Sequence, residues 1–174
     1  MKNQRAELPS EDRAFIALQR AADQLAVQAE QLLKSNGLSG AQYNVLRILR
    51  GAEPHGLACS SIAERMISHD PDMTRLLDRM EKRSWITRER QSNDRRVVKT
   101  RITGAGLELL KRLDPRIREL HKQQFSHMPA TRVKTVADLL EEICAQHGEW
   151  NGFAERGSVN LNRSTKRRER WAKF

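Results

Sequence analysis

The 174-residue chain is poor in aromatic side chains, has only two cysteines and contains no long apolar segment. Aromatic residues make up 5% of the sequence, too few for the stacking platforms that bind single-stranded nucleic acid. The longest unbroken apolar run is five residues, 14–18, whereas a membrane-spanning helix needs about 18. The start of the chain also lacks the apolar core of a signal peptide. We therefore expect a soluble, cytoplasmic protein that makes no contact with a membrane.

Motifs for metal binding, cofactor binding and catalysis are also missing. Cys59 and Cys144 are too few to form a disulfide framework, which fits a reducing compartment. Neither the cysteines nor the five histidines form a closely spaced ligand pair typical of a zinc site. Glycine-rich phosphate loops, HExxH motifs and nucleophile elbows are absent. The sequence predicts no metal, no cofactor and no enzymatic activity.

Positive charge is in excess and unevenly distributed. The chain has 32 Lys and Arg against 22 Asp and Glu, a formal net charge of +10. Residues 151–174 contain seven basic and two acidic side chains, so this short tail carries half of the excess. Such a balance indicates a polyanionic partner, most commonly nucleic acid. The tail itself is either an arm that adds nonspecific DNA affinity or a solubilising end.

Apolar periodicity predicts a mainly helical fold. A long helix over 10–34, with Ser10 as its N-cap, carries a narrow apolar stripe suited to a coiled-coil-like contact with another helix. A second helix begins at Ser39, with Gln42 completing a capping box, and residues 51–57 form a loop. Another long helix begins after Thr103, with a kink or break expected at Pro115. A last helix follows Pro129.

The middle of the chain has the pattern of a helix-turn-helix followed by a hairpin. A short helix runs from Ser60 or Ser61 to Met66, with Ser61 and Glu64 spaced as a capping box. The next helix has Asp70 as N-cap and Pro71 at its first position. Strands over 85–90 and 97–102 enclose a polar, basic tip at 91–96. Together these elements predict a winged helix.

A winged helix with this charge suits double-stranded DNA. Residues 58–103 contain eleven basic and seven acidic side chains. A helix of this kind fits the major groove, while an arginine at the hairpin tip reaches the minor groove or a phosphate. Two other functions remain open from these residues. A protein-interaction winged helix would bind DNA weakly and without sequence preference, and an architectural DNA-binding protein would rely on the tail.

Residues 73–103 resemble the MarR family of bacterial transcription regulators. Asp94-x-Arg96, followed seven residues later by Thr103, matches the wing motif of that family, and Thr103-Gly104-x-Gly106 resembles its T-x-x-G opening of the next helix. The likeness covers about 10–147 in element order and is motif-specific over about 60–106.

The resemblance implies a single MarR-like domain over 1–150 and a basic tail over 151–174. The winged-helix lobe would cover about 38–103, and dimerisation helices would cover about 10–35 and 104–147. It also implies a homodimer that binds a pseudo-palindromic operator, most often as a repressor released by a small ligand. At the level of the family, that ligand is a phenolic or other aromatic acid.

The resemblance also implies which residues contact DNA. Arg96 would enter the minor groove with Asp94 orienting it, and Arg95 would contact phosphate. The N-terminal part of the recognition helix would touch bases, and Arg79 lies one turn further along that helix. The preceding helix would meet the DNA backbone. The residues of these two helices are Pro71, Asp72, Met73, Thr74, Arg75, Arg79, Ser60 and Ser61.

Two positions stand out against the family pattern. Ser84 replaces the usual glycine at a position that favours a left-handed backbone, at a cost of about 1 kcal/mol. Asp70 and Asp72 place two acids at the helix end nearest the DNA. We interpret them as capping residues that complement the helix dipole, with Asp72 as an acceptor for a cytosine amino group as the alternative.

Overall fold

The computed structural model describes residues 8–68, 72–90 and 98–147, which form six helices and three short strands. In chain order these are α1 (Ser10–Lys34), α2 (Gly40–Gly51), β1 (Leu57–Ala58), α3 (Cys59–Ala63), α4 (Met73–Lys82), β2 (Ile86–Arg90), β3 (Val98–Ile102), α5 (Gly104–Gln124) and α6 (Ala130–His147). The mainly helical winged-helix fold predicted from the sequence is confirmed.

The junction between α1 and α2 follows local sequence rules. Gly37 has φ 77°, which ends the chain's helical path after α1, and the Leu38 N–H donates back to the Leu33 carbonyl at 3.0 Å. Ser39 and Gln42 form the predicted capping box, with N–H to side-chain distances of 3.2 and 3.0 Å. At the other end of α1 the N-cap is Pro9 rather than Ser10, because the first helical hydrogen bond goes to the Pro9 carbonyl.

One apolar core lies inside the lobe formed by α2 to α5 and the sheet. Apolar side chains alternate with solvent-facing ones at helical spacing, so each helix contributes one buried stripe. Its most completely buried members are Val45, Leu46, Leu49, Ile62, Leu76, Leu77, Met80, Ile86, Leu110 and Leu113. This core fixes α4 and the hairpin on the same support.

The sheet has three strands in the order β1-β3-β2, all antiparallel. β1, which sequence analysis placed in a loop, pairs Leu57 with Thr100 and Ala58 with Lys99. Gly56 makes this possible: it has φ 64°, and a Cβ there would lie 2.7 Å from the Thr100 carbonyl oxygen. The extra strand attaches the chain before α3 to the base of the wing.

Ser84 adopts the left-handed backbone predicted for it, with φ 56°. Its carbonyl accepts a hydrogen bond from Thr103 Oγ1 at 2.6 Å, and the Trp85 carbonyl accepts one from the Thr103 N–H at 3.0 Å. Thr103 Oγ1 also accepts from the Gly106 N–H at 3.1 Å, which caps α5. The turn after α4 and the start of α5 are thus built around one threonine.

The helix α5 runs through Pro115 without the predicted break. A proline removes one backbone donor and leaves the carbonyl four residues earlier, on Lys111, without its helical partner. Both positions are exposed, so water can satisfy that carbonyl. Side-chain contacts of the preceding residue, Asp114, anchor this turn to α2.

The apolar stripes of α1 and α6 face outward in the single chain. Phe15 on α1 is 62% exposed and Ile143 on α6 is 49% exposed, and Leu107 of α5 is also exposed. Leu33 is the one residue of α1 that belongs to the buried core. In the parts of the chain that the structure describes, no helix is both long and apolar enough to cross a membrane.

Candidate DNA interface

The helix α4, predicted to be the recognition helix, begins at Met73, two residues later than predicted. Asp72 is its N-cap, and Oδ1 of Asp72 accepts from the Arg75 N–H at 3.1 Å. The capping interpretation of Asp72 is therefore correct, whereas a helix starting at Pro71 is wrong. Asp70 and Pro71 themselves lie outside the described residues.

The two faces of α4 differ sharply. Met73, Leu76, Leu77 and Met80 are buried in the lobe core, as their spacing predicts. Met73 was placed among the base-contacting residues by the resemblance, but its burial removes it from the surface. Thr74, Arg75, Arg79 and Lys82 are exposed on the outer side. The outer face of α4 is thus polar, with three exposed basic side chains beside the half-buried acids Asp72, Asp78 and Glu81.

Arg75 is a highly exposed charged group on this face. Its side chain is 81% exposed and its Nε lies 3.1 Å from Oδ2 of Asp72. An ion pair this open to solvent contributes little, because water screens it. The guanidinium can therefore leave Asp72 and bind an anionic or acceptor group of a ligand at a small cost in free energy.

Ser60 and Ser61 lie in the first turn of α3, next to α4. The helix begins at Cys59 after Ala58, and the predicted capping box of Ser61 and Glu64 is wrong because Ala58 occupies the cap position. Ser60 is exposed, and Ser61 is half-buried.

The wing strands are confirmed. β2 begins one residue later than predicted, and Val97, the predicted start of the second strand, lies outside the described residues. β2 and β3 pair in register from Ile86 opposite Ile102 to Arg90 opposite Val98. The hairpin tip, including Asp94, Arg95 and Arg96, lies outside the described residues. Their assignment to DNA therefore stays a prediction.

Two arginines counted in the basic surface are held by partners inside the chain. Arg83 lies 4.9 Å above the Trp85 ring and donates to the Gly37 carbonyl. Arg88 pairs with Asp78 and Glu81, and the hydrogen bond with Glu81 is the main reason that the pKa of Arg88 is raised. Both residues support the lobe, and of the two Arg88 is half-buried whereas Arg83 remains exposed.

Comparison with known proteins agrees with this architecture. The MarR family model matches residues 38–98, from the start of the lobe to the first residue of β3. A MarR transcription factor from Planctomyces limnophilus has 36% sequence identity to the chain, with a TM-score of 0.61, covering 79% of this chain and 98% of that one. The chain belongs to the MarR family.

Transcription regulators are among the relatives of this MarR-family chain. The transcriptional repressor MprA of Escherichia coli (strain K12) is 30% identical over 113 residues, or 65% of this chain and 62% of the length of MprA. Sco3205, a MarR family regulator from Streptomyces coelicolor solved in complex with DNA, has a TM-score of 0.72 at 20% identity. That similarity covers 83% of this chain and 92% of Sco3205.

Two supports of this MarR lobe were missed by sequence analysis. Asn44 of α2 is buried, and its Oδ1 accepts from the Ile67 N–H at 2.9 Å, which fixes the turn between α3 and α4. Asp114 of α5 accepts from Tyr43 Oη at 2.7 Å and from Arg50 Nη1 at 2.5 Å. Both contacts join residues far apart in sequence, so no local pattern could reveal them.

The Asp114 contacts shift two pKa values in opposite directions. Burial, followed by the hydrogen bond to Asp114, raises the pKa of Tyr43. Burial of Asp114 acts to raise the pKa of that carboxyl, but the hydrogen bonds from Tyr43 and Arg50 outweigh it and lower the pKa. A neutral phenol therefore bonds an ionised carboxylate at neutral pH, which holds α5 against α2.

Proposed function

We propose that the protein is a sequence-specific DNA-binding transcription regulator that acts as a homodimeric repressor on a pseudo-palindromic operator. The observation that carries this proposal is the exposed face of α4, with Thr74, Arg75 and Arg79, held by the same core as the wing. Positioning would come from phosphate contacts, and specificity from the start of α4 and the Arg96 wing. The repressor MprA and the DNA-bound Sco3205 support this function.

We further propose a division of the chain into a lobe and dimerisation helices. The lobe would cover about 38–103, with α1 and the α5–α6 region pairing with a second copy, within one domain over 1–150. Exposed apolar residues on α1 and α6 support this pairing, since a soluble protein rarely leaves such stripes uncovered. Two recognition helices would then meet half-sites about one helical turn apart.

The proposed ligand is a small aromatic or phenolic acid bound where α2 and α5 meet. Arg47 of α2 is half-buried and its guanidinium lies 5.8 Å from the Tyr43 ring centroid. Partial burial lowers the pKa of His121 on α5, and the charge of Arg47 lowers it further. A partly desolvated cation beside an aromatic ring suits a carboxylate attached to a ring. Binding there would release DNA by changing the distance between the recognition helices.

The experiment that tests the function is selection of bound DNA from the source genome. Purified full-length protein is mixed with sheared genomic DNA at about 150 mM salt, where phosphate contacts alone give weak binding, and the retained fragments are sequenced. The proposal requires enrichment of a short inverted repeat. Broad retention without a motif would instead indicate an architectural protein, and no retention would indicate a protein-interaction module.

The variant Arg75→Ala is expected to weaken binding to the selected operator by about 10–100-fold, because a base contact from arginine contributes about 1–3 kcal/mol. Fluorescence anisotropy of a labelled operator duplex measures the loss. Lys82→Ala is the matched control, since Lys82 is also exposed and lies at the other end of α4. Similar losses in both variants would show that Arg75 contributes charge without base recognition.

A further inference from the structure

Arg88 of β2 is attached to α4 through both its side chain and its main chain. Its Nε and Nη2 donate to Oε2 of Glu81 at 2.8 and 2.6 Å, and Nη2 lies 2.5 Å from Oδ1 of Asp78. The Arg88 backbone N–H donates to Oε1 of the same Glu81 at 3.1 Å. The wing strand is therefore fixed to the recognition helix at one point by four polar contacts.

These contacts distinguish Arg88 from the arginines on the outer face of α4. Its side chain is 26% exposed, whereas that of Arg75 is 81% exposed. A planar guanidinium that already binds two carboxylates has few donors left for a phosphate. Arg88 is thus placed to affect DNA binding through the residues that it contacts rather than by direct contact with DNA.

The charge of α4 shows what Arg88 compensates. With its cap, the helix carries three acids, Asp72, Asp78 and Glu81, and three basic residues, Arg75, Arg79 and Lys82, so it has no net charge. Arg88 engages two of the three acids. Without it, two carboxylates on a DNA-reading helix would repel phosphates across a partly desolvated interface.

We propose that Arg88 is a positioning residue for operator binding. It holds the wing at a fixed angle to α4 and neutralises Asp78 and Glu81, while making no contact with DNA itself. This inference rests on the proposed DNA-binding function. Arg88 matters to recognition because the wing and α4 must reach adjacent grooves at the same time, so a small change in their angle weakens both sets of contacts.

The test compares Arg88→Gln and Arg88→Lys by anisotropy on the selected operator and on a random duplex over a range of salt concentrations. We expect Arg88→Gln to lose about tenfold or more in operator affinity and less in random-duplex affinity. The two uncompensated carboxylates weaken binding to both duplexes, whereas the changed position of the wing weakens only operator contacts. The dependence of random-duplex binding on salt should keep its slope. Arg88→Lys should recover part of the loss, because it restores the charge but not the planar fork.

A second set of variants keeps the inference testable if Arg88→Gln folds poorly. Glu81→Gln preserves the shape of the side chain and an acceptor for the Arg88 N–H, so its operator affinity should fall less than that of Arg88→Gln. Adding Glu81→Gln to Arg88→Gln should restore part of the affinity by removing the uncompensated carboxylate. Arg112→Gln, which removes an exposed charge from α5, is the control and should leave operator binding unchanged.

Three results would overturn the inference. Unchanged operator binding by Arg88→Gln would show that the contacts are dispensable. Equal losses on both duplexes, with the salt slope reduced by about one, would identify Arg88 as a direct phosphate contact.

Amide hydrogen exchange of β2 and β3 in the free protein supplies a readout that needs no DNA. Unchanged exchange there in Arg88→Gln would disprove the positioning role, whereas failure of the wild type to select an operator would disprove only the proposed function.

Discussion

Gly106→Ala is expected to destabilise the protein by about 3 kcal/mol, which corresponds to a fall in Tm of roughly 6–12 °C for a chain of this size. A Cβ at position 106 would overlap the carbonyl oxygen of Trp85 and would lie 2.7 Å from Cγ1 of Ile102. The Trp85 carbonyl cannot retreat easily, because it accepts the Thr103 N–H and follows the strained Ser84. Thermal and urea unfolding followed by circular dichroism, at one fixed protein concentration, measures the effect.

Gly104→Ala is a closely matched control for this substitution. Gly104 lies in the same first turn of α5, and a Cβ there would meet no atom within 4 Å. Alanine has the higher helix propensity, so this variant should be unchanged or more stable by a few tenths of a kcal/mol. Equal Tm values for the two variants would show that the T-x-x-G glycine is not required for packing against the turn after α4.

The regular elements could be predicted from sequence because their causes are local. The left-handed Ser84 was implied by the resemblance, whereas the capping box at Ser39 and the buried stripe of α4 each depend on residues within a few positions of one another. Such signals come from backbone geometry and from periodic burial, which a sequence displays directly. The winged-helix fold follows from the order of these elements.

The errors concern features that depend on distant residues. The strand β1 has two residues, too few for any periodicity, and it exists because Gly56 lets the chain approach β3 more than forty residues later. The break expected at Pro115 does not occur, since the turn around it is exposed on one side and anchored through Asp114 on the other. At the start of α4, Asp70 and Asp72 were both good caps, and local rules could not choose between them.

The same distinction applies to the candidate interface. Thr74, Arg75 and Arg79 were implied by the resemblance to the family, and the structure leaves all three exposed on α4. Arg88 was counted as part of the basic surface, since the charge of a residue says nothing about its partner in a folded protein. Asp78 and Glu81 are spaced to share one face of α4, which could have indicated that they pair with a basic residue of the same chain. That residue is Arg88 on β2, a different element, so helical spacing alone could not identify it.

Ile143→Glu is expected to convert the proposed homodimer into a monomer at micromolar concentration. Ile143 lies on the apolar face of α6, which the described part of the chain leaves exposed together with Leu139 and Leu140. In a two-fold symmetric interface the substitution occurs twice, and each buried, unpaired carboxylate costs several kcal/mol. Dimer affinity should therefore fall by about 1,000-fold or more. Sedimentation velocity over a range of protein concentrations measures the change.

The lobe should remain folded in this variant, because its core lies in α2 to α5 and excludes α6. Loss of the dimer should then weaken operator binding by a further large factor, since two linked lobes bind two half-sites with a high effective concentration. Ala145→Glu introduces the same charge on the opposite face of α6, which is also exposed, and should remain dimeric. If both variants sediment as dimers, the exposed stripe of α6 is not the dimer interface, and the distance between the two recognition helices would have to be set by other elements.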